Sequence, residues 1–510
     1  MSRLTLCVAL GVAAVSAQTY AQKKPEAKRK PVQTRPSTSI ALLDILQVAI
    51  RQSPTLTRAA VDIDAARAQA LAAEGLDDFT LTATGVRARA QRFTATGPGS
   101  VGIIQEDTTG LDIGLVRGLF TGGTLAVRAG GQLNAQTFRT DDGMLDVEIF
   151  DGAVANVSAS LFQPILRGFG PSIARADGRR ARVARDVASL QQAADALDIT
   201  RDVIIGYWKV AYAVQVMEIR TDSLELANEQ LKITERAVRS GSVSPTETLA
   251  AEQAIAVREQ AVLLAEVEVS QLSLDLRRKV GLEIGKTEID LAPSTPLKPP
   301  TQTFDTDATI ARALAENPLL RLLEAKEKGA AIDVEVTEDD VRPRLDLHAS
   351  VGALGQAGTG SEAVKEIGRF ENPSFSVALN YEQQIGARAA RGATGQAKAA
   401  RKRLRIDLDE ARREVSVSVA HAINLLRAAQ KRIEVSDRAI ALAKRNFEVQ
   451  QTRFLNGKST NFDVLLRQDE LQQASVSRAL AVTDALAAEA TVNALTGDLL
   501  ARNNIQIAPP

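Results

Sequence analysis

The stretch from Val203 to Gly241 limits the fold more than any other, because it is one long helix pattern with apolar residues on two faces. Val203, Val210, Met217, Leu224, Leu231 and Val238 recur every seven residues, and Ile205, Tyr212, Ile219, Leu226 and Ile233 repeat the step two positions further on. At ~100° per residue the second stripe lies nearly opposite the first. A helix on a globular surface needs one apolar face. Two opposed stripes, with Glu218, Arg220, Glu225 and Glu229 between them, need a neighbour on each side. The helix reads as a stave in a wall.

The stave occurs twice. Adding 216 to the first series gives Val419, Leu426, Ile433, Ile440, Phe447 and Phe454; the second maps to His421, Ala428, Val435, Leu442 and Val449. The turns agree, since Arg239-Ser240-Gly241-Ser242 aligns with Leu455-Asn456-Gly457-Lys458, and Gly281 keeps the same offset from Gly497. An internal duplication of this kind means two copies of one supersecondary unit.

Around these repeats the chain punctuates itself. Residues 1–21 resemble a secretory signal, with Arg3 before the apolar run Leu4–Val15 and small-residue cleavage sites near Ala17 and Ala21. The single cysteine, Cys7, lies in that leader, so the exported chain offers no disulfide. Residues 22–37, with Lys23, Lys24, Lys28, Arg29 and Lys30, read as a disordered basic, proline-rich arm. The first repeat is expected over 38–284: short helices, about four strands within 79–163, and a long helical hairpin over 172–280. Pro293, Pro296, Pro299 and Pro300 mark a linker over 285–305. The second repeat, 306–500, holds a helix, two strands within 343–385 and a hairpin over 388–496, and 501–510 is a tail. Ser53-Pro54 and Asn317-Pro318 each supply a cap followed by a proline at the first helical position.

In the strand regions the apolar period changes to two. Leu345, Leu347, Ala349 and Val351 alternate with Asp346, His348 and Ser350; Phe375, Val377, Leu379 and Tyr381 alternate with Ser376, Asn380 and Glu382. Leu125, Val127 and Ala129, and Ala155, Val157, Ala159 and Leu161, do the same in the first half. Phe79–Gln91 and Thr109–Arg117 are weaker runs, the former with a parity slip at Gly85 that predicts a bulge. Runs of roughly 9–11 residues with weak alternation suit strands that meet lipid on one face and water on the other. No other uncharged apolar run is long enough for a membrane helix.

Catalytic signals are missing. Gly281-Leu282-Glu283-Ile284-Gly285-Lys286-Thr287 lacks one residue of a phosphate loop and aligns with the helix end at Gly497. No HExxH or GxSxG motif occurs; His348 and His421 sit apart and read as structural. Tyr207, Trp208 and Tyr212 read as packing between staves. The expectation is no enzyme, no cofactor and no metal. With 62 basic and 62 acidic residues balancing, no excess of positive charge points to nucleic acid.

Over about residues 40–500 the chain resembles the TolC-like outer-membrane efflux proteins. The resemblance rests on the paired Ser53-Pro54 and Asn317-Pro318 helix starts, on Gln163-Pro164-Ile165-Leu166-Arg167-Gly168-Phe169-Gly170 between strand and helix, and on Gly457-Lys458-Ser459-Thr460-Asn461-Phe462-Asp463-Val464-Leu465 at the tip. The fold class is then mainly α with a membrane β-barrel portion, a duplicated strand and long-helix-hairpin repeat forming a trimeric α/β-barrel tunnel. The resemblance implies a homotrimer in the outer membrane of a Gram-negative bacterium, in contact with its lipid, working with a periplasmic adaptor and an inner-membrane pump. It would be the passive exit duct of a tripartite efflux or type I secretion system; a periplasmic coiled-coil adaptor or scaffold is the alternative. In similar proteins aspartates after the second tip ring the periplasmic mouth. Asp463 matches the first of these, Leu466 occupies the second, and Asp469 lies nearby out of register. Glu247, equivalent to Asp463 in the first repeat, is a further gate candidate, and Gly241, Ser242, Gly457 and Lys458 are the expected adaptor-docking tips. The family's barrel takes four strands per chain, so six would be a departure, giving eighteen per trimer.

Overall fold

The computed structural model describes residues 37–97, 100–140, 146–282 and 290–505. The expected signal peptide, residues 22–36 of the expected basic arm, the last five residues of the tail and 283–289, which include most of the loop-like glycine motif, lie outside them.

In chain order, β1 (Ser37–Ile40), α1 (Leu42–Gln52) and α2 (Pro54–Glu74) lead to β2 (Phe79–Gly97), β3 (Ser100–Gly118), β4 (Thr124–Thr140) and β5 (Asp146–Pro164). A single turn, α3 (Pro171–Ala174), breaks at Arg175 before α4 (Ala176–Arg239), and α5 (Thr246–Val280) returns. After β6 (Asp290–Pro293) come α6 (Thr306–Glu316), α7 (Pro318–Asp339), β7 (Arg344–Ala357), α8 (Gly360–Gly368) and β8 (Pro373–Glu382). The chain ends with α9 (Arg388–Leu455), α10 (Asn461–Leu495) and α11 (Leu499–Arg502). Helical structure thus runs into the expected tail, and β6 lies in the expected linker.

The staves form a layer. Below the middle of the molecule α4 packs against α5 and α10, and α10 against α9, giving the order α5-α4-α10-α9. Above it α4 packs against α2 and α7, and α7 against α9, giving α2-α4-α7-α9. Two staves are therefore composite. The end of α5 abuts the start of α2 at Gly281, whose φ is +82° and where an added Cβ would lie 2.6 Å from the Gln52 carbonyl oxygen. The end of α10 abuts α7 through Asn317, whose Nδ2 donates to the Leu495 carbonyl at 3.0 Å. These joints are why the glycine pair keeps its offset. Asn317 also caps α7 with its side chain, accepting from the Leu319 N–H at 3.0 Å. Ser53 makes no such side-chain bond; it is buried, its backbone N–H reaching the Ala49 carbonyl, and Pro54 alone sets the start of α2.

At the waist, β1 and β6 pair in parallel, an association the sequence does not advertise because each strand is four residues long. Fully buried Tyr207 fastens them: its hydroxyl donates to the Ile40 carbonyl at 3.1 Å and accepts from the Thr295 N–H at 3.0 Å. Trp208 packs edge-on beside it, ring centroids 5.2 Å apart, within a core that includes Ile45, Leu46, Val203, Val210 and Leu276.

The remaining strands form one antiparallel sheet, β2-β3-β4-β5-β7-β8, so four strands from the first repeat join two from the second. The register from Phe79↔Arg117 to Ala95↔Val101 is unbroken; the irregularity falls between Ala95 and Gly97, not at Gly85. Gly85 needs no bulge because both faces there are weakly apolar. β3 starts nine residues before the expected Thr109, and β2, β3 and β5 run 19 residues each. Beyond the apolar stretch, cross-strand polar pairs such as Arg89–Asp107 and Gln91–Gln105 hold the extra length together. One sheet face carries Phe79, Leu81, Ile113, Leu115, Val127, Leu133, Val351, Phe375 and Val377, mostly exposed in the single chain. The other carries Thr82, Asp112, Arg128, Asn156, Ser158, Ser350 and Ser376. Among the described residues no helix is long and apolar enough to cross a membrane.

Candidate functional site: the helical tip

The two hairpin turns close in the same way. Gly241 (φ +75°) and Gly457 (φ +65°) take the left-handed conformation after the helix end, and the Ser242 and Lys458 N–H groups reach back to the Ala237 and Arg453 carbonyls at 2.9 and 2.8 Å. Between them opens a groove of about 640 Å³ lined by Ile233, Ser240, Ser242, Val243, Phe454 and Gly457. Its floor belongs to a small core of Phe447, Phe454 and Val464 with Ile233 and Val243, so the second repeat is packed onto the first at this end. Two of the four expected tip residues thus meet at one place, Ser242 and Gly457; Gly241 and Lys458 are exposed beside them in the chain and do not line the groove.

Asp463 sits in a capping box. Its carboxylate accepts from the Thr460 hydroxyl at 2.8 Å, the Thr460 N–H at 3.2 Å and the Ser459 hydroxyl at 3.1 Å, while its own N–H bonds Thr460 Oγ1. The Thr460 hydroxyl, then its backbone N–H and then Ser459, hold the Asp463 carboxyl below the usual carboxylate range, so it is ionised at neutral pH. Glu247 has no such box. The cap of its helix is Pro245, and the tie at Glu247 is its carbonyl, which accepts from Asn461 Nδ2 at 3.5 Å.

Residues to which sequence reasoning gave no interhairpin role carry the contact between the hairpins. Fully buried Asn461 at the start of α10 accepts from Gln230 Nε2 at 2.9 Å and from the Thr234 hydroxyl at 3.3 Å, both on α4. Further from the tip, Arg258 of α5 donates to Ser223 Oγ of α4 at 3.1 Å and to the Asp469 carboxylate of α10 at 2.6 Å. Asp469 therefore serves as one end of an interhairpin ion pair. Its side chain is 64% exposed against 8% for Arg258, so screening limits the attraction, whereas deleting Asp469 would strand a buried guanidinium. The available signal was a charge in an apolar row: Arg258 falls between Ile255 and Val262 on the buried face of α5. His348, by contrast, packs tilted against the Phe162 ring with centroids 4.9 Å apart. Among the described residues no group of acidic, histidine or cysteine side chains could hold a metal ion.

Residues 309–498 match the sequence model of the outer membrane efflux protein family. No curated protein matches the chain in sequence. In structure it is similar to the outer membrane channel CmeC of Campylobacter jejuni, with a TM-score of 0.63 at 13% identity and 94% of each chain covered. VceC of Vibrio cholerae gives 0.62 at 15% identity, over 90% of this chain and 96% of VceC. The open state of MtrE, an outer membrane channel of Neisseria gonorrhoeae, gives 0.60 at 16%, over 94% of this chain and 98% of MtrE. Over residues 309–498 the chain thus matches the outer membrane efflux protein family in sequence, and over nine-tenths of its length it has the fold of the outer membrane channels it is similar to.

Proposed function

We propose that three copies of this chain close into one tube, the exit duct of a tripartite efflux or type I secretion assembly, spanning the outer membrane and reaching into the periplasm. The observation that carries this reading is where apolar surface is left uncovered. In the order α5-α4-α10-α9 the two edge staves bear exposed stripes: Val257, Leu264, Val267 and Leu274 on α5, and Val435, Leu442 and Val449 on α9. Rows of this kind on opposite edges of one protomer fit each other, the edge α5 of one copy against α9 of the next, and a head-to-tail contact that closes makes a ring. The sheet supports the same operation. Its free edges are β2 and β8, which run in opposite directions, so β8 of one copy can pair antiparallel with β2 of the next.

With both strand edges consumed, the apolar face is left for lipid and the polar face for a water-filled lumen. The family and structural neighbours are channels, and the duct does no covalent chemistry in this reading. Fractionation on a sucrose gradient, followed by native mass measurement in detergent, tests it. Banding with the outer membrane as a three-copy particle is expected, and a water-soluble single copy would overturn it.

The gate in this reading is the tip. Three copies of Asp463 would bring fixed negative charge to the periplasmic mouth, with Glu247 as a weaker contributor. The groove between Ser242 and Gly457 is the proposed seat of the periplasmic adaptor, which joins the duct to an inner-membrane pump. Ser242→Arg would fill the groove, and loss of adaptor co-purification with the trimer intact is the expected result; retained co-purification would remove the assignment.

A further inference from the structure

Three features of the sheet share one consequence for the outer-membrane end. The first is width. Four staves at ~9.5 Å spacing occupy ~38 Å of circumference per protomer. Six strands ~4.8 Å apart and tilted by ~40° occupy about the same arc, whereas four would occupy ~25 Å. A six-strand protomer therefore lets the barrel continue the helical tube without narrowing.

The second feature is the polar face. Long side chains there lie flat across glycines of the neighbouring strand. An added Cβ on Gly130 of β4 would sit 2.0 Å from Asp112 Oδ1, so the carboxylate of β3 occupies that slot, and 3.4 Å from Asn156 Nδ2. Gly114 of β3 takes the stem of Arg128 in the reciprocal way, with Arg128 Cγ 3.4 Å from the added atom, and Gly110 takes Gln132 at 3.0 Å. Charges that would otherwise reach inward are laid along the wall.

The third is α8, the helix inserted between β7 and β8. Ala363 at its centre is fully buried against Ala153 and Ala155, which belong to the apolar face of the sheet. Gly355 of β7 permits the contact, since an added Cβ would lie 1.9 Å from the Ala363 carbonyl oxygen. The largest insertion between strands is therefore folded onto the outer side and leaves the polar face clear.

We infer that the barrel of the closed assembly is an unconstricted, water-filled bore as wide as the helical tube, admitting hydrated cargo the size of a small folded polypeptide. Eighteen strands give a backbone diameter of ~35 Å and a clear width of ~25 Å, enough for a helical hairpin ~20 Å across. Twelve strands would leave only ~15 Å clear. The inference rests on the three-copy reading above and adds to it the size class of cargo.

Cysteine labelling of the full chain on intact cells tests it. Cys7 is the only native cysteine, so a Cys7→Ser background is free of thiols. Ser158→Cys lies on the polar face and Val377→Cys on the apolar one. Trimers of each variant are first confirmed by native mass. They are then treated with a small maleimide and with a polyethylene-glycol maleimide whose coil is ~20 Å across, between the two calculated widths. Ser158→Cys is expected to react with both reagents at rates of the same order, and Val377→Cys with neither. Gly130→Leu in the Ser158→Cys chain should slow the large reagent alone by displacing Asp112 into the bore. Reaction with the small reagent only would overturn the inference while leaving the trimeric channel standing. Reaction of Val377→Cys in place of Ser158→Cys would overturn the assignment of the lumen face itself. Asn156→Cys replaces Ser158→Cys if the latter fails to assemble.

Discussion

The long helices α4 and α9 carry the same two seven-residue stripes 216 positions apart, and the fold treats them differently. In α4 both stripes are covered: Val203 and Val210 are fully buried, and Ile205, Tyr212, Ile219 and Leu226 are half-buried between α5 and α10 below or α2 and α7 above. In α9 the first stripe is buried through Val419, Leu426, Ile433 and Phe447, while Val435, Leu442 and Val449 are 50%, 64% and 52% exposed. The pattern is equal and the position is not, because α4 is an interior stave and α9 an edge. An identical demand for two neighbours is met inside the chain once and is left unmet within the chain the second time.

The sharpest way to break this comparison is Val435→Glu with Leu442→Glu. Two carboxylates placed in a dry seam cost several kcal/mol. The double variant should fold as a protomer, by circular dichroism, and fail to form trimers in native mass spectrometry. The equivalent pair on α4, Ile219→Glu with Leu226→Glu, should instead abolish folding. If both pairs behave alike, the interior and edge assignments are wrong.

A second contrast lies in the strand loops, where the second repeat carries α8. Gly355→Val forces the strand against the Ala363 backbone, which cannot yield as a side chain end could. A loss of about 2–3 kcal/mol in α8 docking is expected, read as new protease cleavage within 360–368. Unchanged protection would show that α8 is held by other contacts.

The waist supplies a smaller effect. Tyr207 corresponds to Ile423, which is also buried but fills space where Tyr207 also bridges two backbones. Tyr207→Phe leaves the Thr295 N–H and Ile40 carbonyl without that partner and should lower stability by about 1–2 kcal/mol, measured by denaturant unfolding. Ile423→Val should cost about 1 kcal/mol through volume alone.

The tips differ least in shape and most in charge fixation. Asp463→Ala should raise single-channel conductance and weaken cation preference in planar bilayers, with Glu247→Ala giving a smaller change. Because the folded Asp463 carboxyl is held below the ordinary range, it stays charged as pH falls past the point where a free aspartate protonates. Its contribution to the helix start is present above the unfolded value and is lost only as pH falls through the lower, folded one. Cation preference should persist correspondingly far into acid; a loss at the ordinary carboxylate pH would detach the capping box from the gate.

Much of the fold was legible because its signals are local. Pro54 and Pro318 stand at the starts of α2 and α7, Gly241 and Gly457 at the turns, and alternation separates strands from staves within a dozen residues. The candidate site was legible only in outline. Asp463 and the tip glycines announce themselves by spacing, whereas Asn461 and Gln230, or Arg258 and Asp469, lie more than two hundred positions apart and meet only when the hairpins pack. Gly85 misled because a parity slip in a weakly apolar run is also what a regular strand shows when its faces differ little.

By itself the sequence determined that there would be long staves with two apolar sides, duplicated, joined to strands with one polar and one apolar face. Periodicity, caps and turns act over a few residues and need no partner to be read. The tertiary structure decided which stave is an edge, that Asp469 belongs to Arg258, that Tyr207 fastens the waist and that α8 folds onto the apolar face of the sheet. Those outcomes depend on contacts between segments far apart in the chain, whose energies exist only after the layers have closed on one another.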